Sequence, residues 1–161
     1  MLRWKVKSYK YLGHIITDNL SDNDVITAKR RILYARANML LRQFHFCSLS
    51  VKCKLFNAYC RNIYMSSLWV NFTKSCFKSI QVAYNDAFRI LLQLPSRCSA
   101  SEMFATARVD SYKAFIRKCI FSFRQRILAS VNSIVVSVTN SDIFNFSPIC
   151  LHWTDVLSGR M

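Results

Sequence analysis

Carboxylates are the scarcest functional groups in this 161-residue chain. There are eight acids against 23 Lys and Arg, a formal net charge of +15, and Glu102 is the single Glu among seven Asp. Two-metal chemistry needs clustered carboxylates to hold Mg²⁺, so this shortage excludes most metal-dependent phosphoryl chemistry from the chain by itself. Glycine and proline are equally rare, two of each. A glycine-rich loop that cradles phosphates is therefore excluded, and so is a low-complexity, disordered chain. No Cys-x-x-Cys pair occurs, and the cysteines number seven. A secreted disulfide scaffold would be smaller and even in its count. Long apolar runs are missing too. The longest stretch without a charge, residues 127–141, is 15 residues long and holds seven Ser, Thr and Asn, too short and too polar to span a bilayer. The basic first residues lack the apolar run of a signal peptide. These features predict a reduced, intracellular protein of nucleus or cytoplasm, with its thiols serving as small core residues.

Apolar and aromatic residues are abundant, 52% and 14% of the chain, enough for a substantial core. Tyr9, Tyr11, Ile15 and Ile16 are strand formers, with Gly13 offering a bend between them. From about Asp24 the apolar period becomes helical. Ile26, Leu33, Ala37, Leu40, Leu41 and Phe44 share one face of a first helix. A second helix from Ser48 or Ser50 would bury Val51, Leu55, Phe56, Tyr59 and Ile63, leaving Lys52, Lys54 and Arg61 elsewhere. A third carries Phe77, Ile80, Tyr84, Ala87, Phe88 and Leu91 and stops ahead of Pro95. Ser99 and Glu102 form a capping box for a short fourth helix to about Arg108. A fifth runs from Tyr112 through Phe115, Ile116, Ile120, Phe123 and Ile127. Residues 133–138 fit a helix end or a strand, and the tail holds a last apolar group, Trp153, Val156 and Leu157. The expected architecture is mainly α: a helical bundle of about five helices preceded by a short β-hairpin. The expected divisions are 1–20, 21–95 and 96–161.

Catalytic and metal constellations are thin. Asp22 and Asp24 are close in sequence but sit at a helix start, where capping and dipole roles explain them. Asp86 is isolated within the third helix. His45 and Cys47, and Cys150 and His152, lack the spacing of a structural zinc site. No catalytic residue and no metal ligand is assigned, and no cofactor is expected in this segment.

The basic residues carry the clearest pattern. Between Val25 and Ser101 lie twelve Lys and Arg and one acid, a net of +11. A solvated face normally mixes signs. Single-sign stripes on helices instead follow a phosphate backbone, with salt-dependent and largely sequence-independent binding. Most aromatics fall at helical spacing and belong to the core, whereas Tyr9 and Tyr11 beside Gly13 are better placed for exposed contact.

Several strings also resemble, in order, the region after the catalytic core of LINE-type, jockey-like non-LTR retrotransposon reverse transcriptases. Residues 9–16 (Tyr-Lys-Tyr-Leu-Gly-His-Ile-Ile) resemble the hairpin that closes the palm. Residues 34–40 (Tyr-Ala-Arg-Ala-Asn-Met-Leu) and 51–60 (Val-Lys-Cys-Lys-Leu-Phe-Asn-Ala-Tyr-Cys) resemble the first thumb helices. Residues 68–69, 83–92 (Ala-Tyr-Asn-Asp-Ala-Phe-Arg-Ile-Leu-Leu), 99–104 and 122–126 continue the likeness over nearly the whole chain.

The resemblance implies a primer-grip hairpin over 1–20, a thumb-like bundle over 21–95 and a C-terminal helical extension over 96–161. It implies RNA and RNA–DNA duplex as partners, together with an upstream palm and fingers. Tyr9, Tyr11, Gly13, Lys29, Arg30, Arg31 and Arg36 become the candidate nucleic-acid contacts. The family's Tyr/Phe-x-Asp-Asp core would lie upstream of the hairpin, and no Asp-Asp dipeptide occurs here. The expectation is thus a fragment of an RNA-directed DNA polymerase, starting internally, with no polymerase activity of its own; Mg would belong to the parent enzyme. The rival expectations are a free-standing basic helical protein that docks on an acidic partner or an anionic membrane, and a transposon remnant without a cellular role.

Overall fold

A computed structural model of the chain describes residues 7–11, 14–63 and 66–160. The protein is mainly helical, 68% of it, with a two-stranded antiparallel hairpin at the front. Strands β1 (Ser8–Tyr11) and β2 (His14–Thr17) pair in the register Tyr9↔Ile16, Lys10↔Ile15. Gly13 lies outside the described residues. The helices that follow are α1 (Asn23–Phe44), α2 (Leu49–Leu55), α3 (Lys74–Leu92), α4 (Ala100–Ala107), α5 (Tyr112–Leu128), α6 (Ser133–Thr139) and α7 (Pro148–Ser158). The first five correspond to the five expected helices, although the face that α2 buries is shifted. The additional two are short: α6 is capped by Asn132, and α7 is bounded by a Ser147 cap, Pro148 at its first position and Gly159 at φ 85° beyond its end. Among the described residues no helix is long and apolar enough to cross a membrane.

The chain forms two compact units. One comprises Met1–Tyr64 and Asn71–Tyr112, the other Met65–Val70 and Lys113–Met161. Segment 96–112, with α4, therefore groups with the residues ahead of it.

In the first unit α1 packs along α3. The buried side chains of α1 are Val25, Ile26, Leu33, Ala37 and Leu40; those of α3 are Ile80, Ala83, Tyr84, Ala87, Phe88 and Leu91. Aromatic rings fill the centre. Phe88 lies parallel to Phe104, centroids 5.1 Å apart, and 4.5 Å from Phe56, while Tyr84 sits edge-on to Phe56 at 5.1 Å. The Tyr84 hydroxyl donates to the Asp110 carbonyl at 3.1 Å, which satisfies the polar end of a fully buried ring. Asp110 also pairs with Arg61 at 2.7 Å.

The beginnings of α1 and α3 are stitched together. Asp22 occupies the N-cap position of α1 without capping it by its side chain. Its carboxylate instead accepts from the Asn71 backbone N–H at 2.9 Å, and its own N–H donates to the Asn71 carbonyl at 2.8 Å. Thr73, the cap of α3, receives Asn23 as an acceptor on its N–H at 3.0 Å. A long-range clamp thus replaces the local role that sequence spacing suggests for Asp22.

The second departure from periodicity concerns α2. Its helix passes into a π-helical turn over Phe56–Cys60, in which the Arg61 N–H reaches the Phe56 carbonyl at 3.2 Å. The buried side is Lys52, Cys53, Phe56, Cys60 and Ile63, whereas Val51 and Tyr59 are exposed. The predicted face is rotated by about one residue. Two cysteines take core positions in place of Val51 and Tyr59, and the wider π turn shifts the phase beyond Phe56.

Those cysteines supply a direct test. Burial pushes the Cys60 thiol up to about 11 and raises that of Cys53 as well. Iodoacetamide acts on the thiolate, so native protein at pH 8 should leave Cys53 and Cys60 unmodified while half-buried Cys47 and Cys98 react. Peptide mass spectrometry reads the pattern, and rapid alkylation of Cys60 would contradict this packing. A thiol whose pKa is raised in the fold contributes stability below its unfolded value of 9.0 and loses that contribution as pH climbs toward 11. Alkaline destabilisation should therefore begin near pH 9.

In the second unit Trp153 anchors α7. Its indole N–H donates to the Ser67 carbonyl at 2.8 Å, and its ring stands edge-on to Phe123 at 5.7 Å. The Arg117 guanidinium on α5 donates to the Val156 carbonyl at 3.2 Å, meeting one of the last carbonyls of α7. Gly159 is needed where it stands, since its positive φ favours glycine and an added Cβ would come 3.2 Å from the Arg117 guanidinium.

Candidate nucleic-acid interface

The interface starts from the geometry of α1. Successive residues turn by about 100° around a helix, so Lys29 and Arg36, seven apart, point within about 20° of each other. Arg30 points about 100° away from Lys29 and Arg31 about 200°. The four basic residues that lie together in sequence consequently serve three sides of the helix.

Lys29 and Arg36 form one flank beside the buried seam. The Arg36 guanidinium donates to the Tyr59 carbonyl at 2.6 Å, which fixes it against the π turn. Lys29 is half-buried, and its pKa is lowered by desolvation, then by the charges of Arg36 and Lys10. The charge of Lys10 on β1 thus acts on Lys29 as well. In a strand alternate residues face opposite sides, so Tyr9 and Tyr11 occupy the ribbon face away from Lys10. They are indeed 63% and 56% exposed. Lys29 thus senses the charges of Arg36 and Lys10, half-exposed Tyr59 lies against Arg36, and Tyr9 and Tyr11 alternate with Lys10 along β1. Among the described residues neither Lys29 nor Arg36 has a carboxylate within ion-pair distance.

Arg30 lies on the other flank. Its charge acts on Tyr34, one turn along, whose hydroxyl donates to the Asp86 carboxylate at 3.0 Å. Burial, then Asp86, pushes the Tyr34 phenol up. Asp86 also accepts from Arg89 at 2.9 Å, and Arg89 in turn donates to the Cys98 carbonyl at 2.9 Å. This network ties α1, α3 and the loop before α4 together and occupies the one acid of the basic stretch. Arg31 shares the outward side of α1 with Arg42, and Arg42 lines a shallow depression with Ala35, Asn38, Met39 and Gln43.

Lys10 and Tyr59 were not legible as part of this surface. Lys10 alternates with two tyrosines on a strand, and only the closure of the hairpin against α1 brings its charge to Lys29. Tyr59 falls at a core spacing until the π turn rotates it outward.

Carboxylates for a bound Mg²⁺ are not assembled here. Among the described residues no three His, Cys, Asp or Glu side chains gather, and the Asp22 carboxylate is engaged by Asn71. Comparison with protein-family models, with curated proteins and with solved structures finds no match to this chain.

Proposed function

We propose that this chain is the nucleic-acid-gripping part of a LINE-type, jockey-like non-LTR reverse transcriptase, binding the template–primer backbone without carrying the catalytic aspartates. The observation that supports this reading best is the set Lys29, Arg36 and Lys10, in which Lys29 feels the charge of both other cations and neither Lys29 nor Arg36 has an opposing acid among the described residues. Mutual repulsion at such a cluster is relieved by a polyanion, and a phosphate backbone supplies charge at the required density. A hairpin followed by a basic helical bundle is the arrangement that the family resemblance implies. The resemblance places the hairpin at the growing 3′ end and the helices along the duplex.

The test is binding of a short RNA–DNA duplex to the full chain across a salt series. Three phosphate contacts predict a log–log slope of about −2.7, or roughly a 40-fold loss of affinity between 50 and 200 mM salt. A flat response, or no binding, rejects the reading.

A second reading rests on the other unit. Val131, Ile134, Ile143 and Phe146 are largely exposed, Val131 at 98%, in the stretch that follows the basic helix α5. Apolar side chains near Lys and Arg suit an anionic membrane surface or an acidic protein partner. Co-sedimentation with phosphatidylserine vesicles that persists in excess RNA–DNA duplex would favour this free-standing interaction protein over the polymerase fragment.

A further inference from the structure

We propose that a cleft bounded by α2, α4 and the end of α3 is a covalent modification site, where one of two thiols captures an apolar electrophile, an α,β-unsaturated carbonyl compound bearing an alkyl tail. Burial sorts the seven thiols of the chain. Cys53, Cys60 and Cys150 are buried, whereas Cys47 and Cys98 are half-buried. These two come from separate loops, Cys47 just ahead of α2 and Cys98 just ahead of α4, yet both line the same cleft. Both loops are anchored. The Cys47 N–H donates to the Phe44 carbonyl at 3.1 Å, and the Cys98 carbonyl accepts from the Arg89 guanidinium at 2.9 and 3.2 Å. The cleft has a volume of about 370 Å³, at the small end of the range for small-molecule sites. Leu49, Leu92, Leu94 and Met103 give it apolar walls.

An alkyl tail laid on the leucine and methionine walls leaves water, and its unsaturated head is then held beside the thiols. The thiolate is the reacting form. Its sulfur adds to the β-carbon, so one C–S bond forms as the C=C π bond opens. The displaced electron pair passes to the α-carbon and carbonyl oxygen, and a proton from water ends on the α-carbon. The thiol's own proton has gone to solvent, so the step balances with no oxidant and no leaving group. A cleft of this size holds one tail, and the first adduct therefore denies the second thiol the same reagent. The site is separate from the cations on α1, and its occupant differs in chemistry from a nucleic acid.

The experiment treats the full chain with N-octylmaleimide and N-ethylmaleimide, which share one reacting ring, and follows each cysteine by peptide mass spectrometry. Cys76 is the internal reference, a half-buried thiol at the opposite end of α3 that does not line the cleft. The octyl-over-ethyl rate ratio at Cys47 or Cys98 should exceed that at Cys76 by roughly 15- to 60-fold, the gain from removing two or three methylenes from water. The octyl rate should level off as reagent concentration rises. A single chain should carry the octyl adduct at Cys47 or at Cys98 but not at both, whereas N-ethylmaleimide modifies both. Thr106→Trp, at an exposed position of α4 that lines the cleft, fills it and should bring the ratio down to that at Cys76. An unchanged circular dichroism spectrum of that variant separates a lost cleft from a lost fold. A ratio at Cys47 and Cys98 no greater than at Cys76, an octyl rate linear in concentration, octyl adducts on both thiols of one chain, or an unchanged ratio in folded Thr106→Trp would each overturn the proposal.

Discussion

Replacing Phe88 by alanine should lower the unfolding free energy by about 3–5 kcal/mol, the usual range for deleting a buried phenyl ring. Phe88 is fully buried, with Phe104 parallel on one side and Phe56 at 4.5 Å on another. Those neighbours belong to α4 and to the π turn, which are held by their own hydrogen bonds, so the void has little freedom to collapse. Such a loss is a large share of the roughly 5–15 kcal/mol that keeps a protein of this kind folded. It corresponds to a fall in Tm of about 10 °C. Urea unfolding followed by circular dichroism measures it. Phe88→Leu, which keeps most of the volume, should lose less than half as much. A drop below about 1 kcal/mol for the alanine variant would mean that these rings do not form the centre of the core.

Removing the cation cluster should have the largest effect on binding. In a variant carrying Lys10→Ala, Lys29→Gln and Arg36→Gln, affinity for an RNA–DNA duplex should fall by about 100-fold at moderate salt, near 1 kcal/mol for each charge removed. The salt slope should flatten by about 2.7, since each lost phosphate contact removes close to one unit. Glutamine at position 36 retains an N–H for the Tyr59 carbonyl, so the anchor to the π turn need not be lost. Lys29 is disfavoured in its charged form by its surroundings, and its neutral replacement should not weaken the fold. The matched comparison is Arg31→Ala with Arg42→Ala on the outward side of α1. If that pair reduces affinity more than the triple variant does, the duplex lies on the other side of the helix and the cluster is not its principal contact.

Much of the architecture was legible in residue order. The alternation around Tyr9 and Tyr11, the apolar seam from Ile26 to Leu40 and the Ser99–Glu102 cap each act locally, within one strand or one helical turn. Helix α3 ends near where Pro95 predicts, with Gln93 at φ 58° turning the chain. The C-terminal helix was also written in local signals, Ser147 and Pro148 before it and Gly159 after it. Its apolar group was read without them, and so α7 was missed.

The tertiary structure decided what periodicity cannot reach. A helical wheel gives directions for Lys29, Arg30 and Arg31 but not what each meets. The packing of α1 on α3 brings Asp86 to the Tyr34 hydroxyl, one turn from Arg30, whereas Lys29 feels the charge of Lys10 from the hairpin. Asp22 looks like a cap until Asn71, 49 residues away, takes its carboxylate. Lys52 looks like a surface charge until the π turn and α4 define which side of α2 is covered. Sequence alone determined that the chain is helical, basic and poor in carboxylates, because propensity and charge are properties of single residues and their near neighbours. Which cations stand together, and which one is buried, depended on contacts between distant segments, and those exist only once the helices have packed.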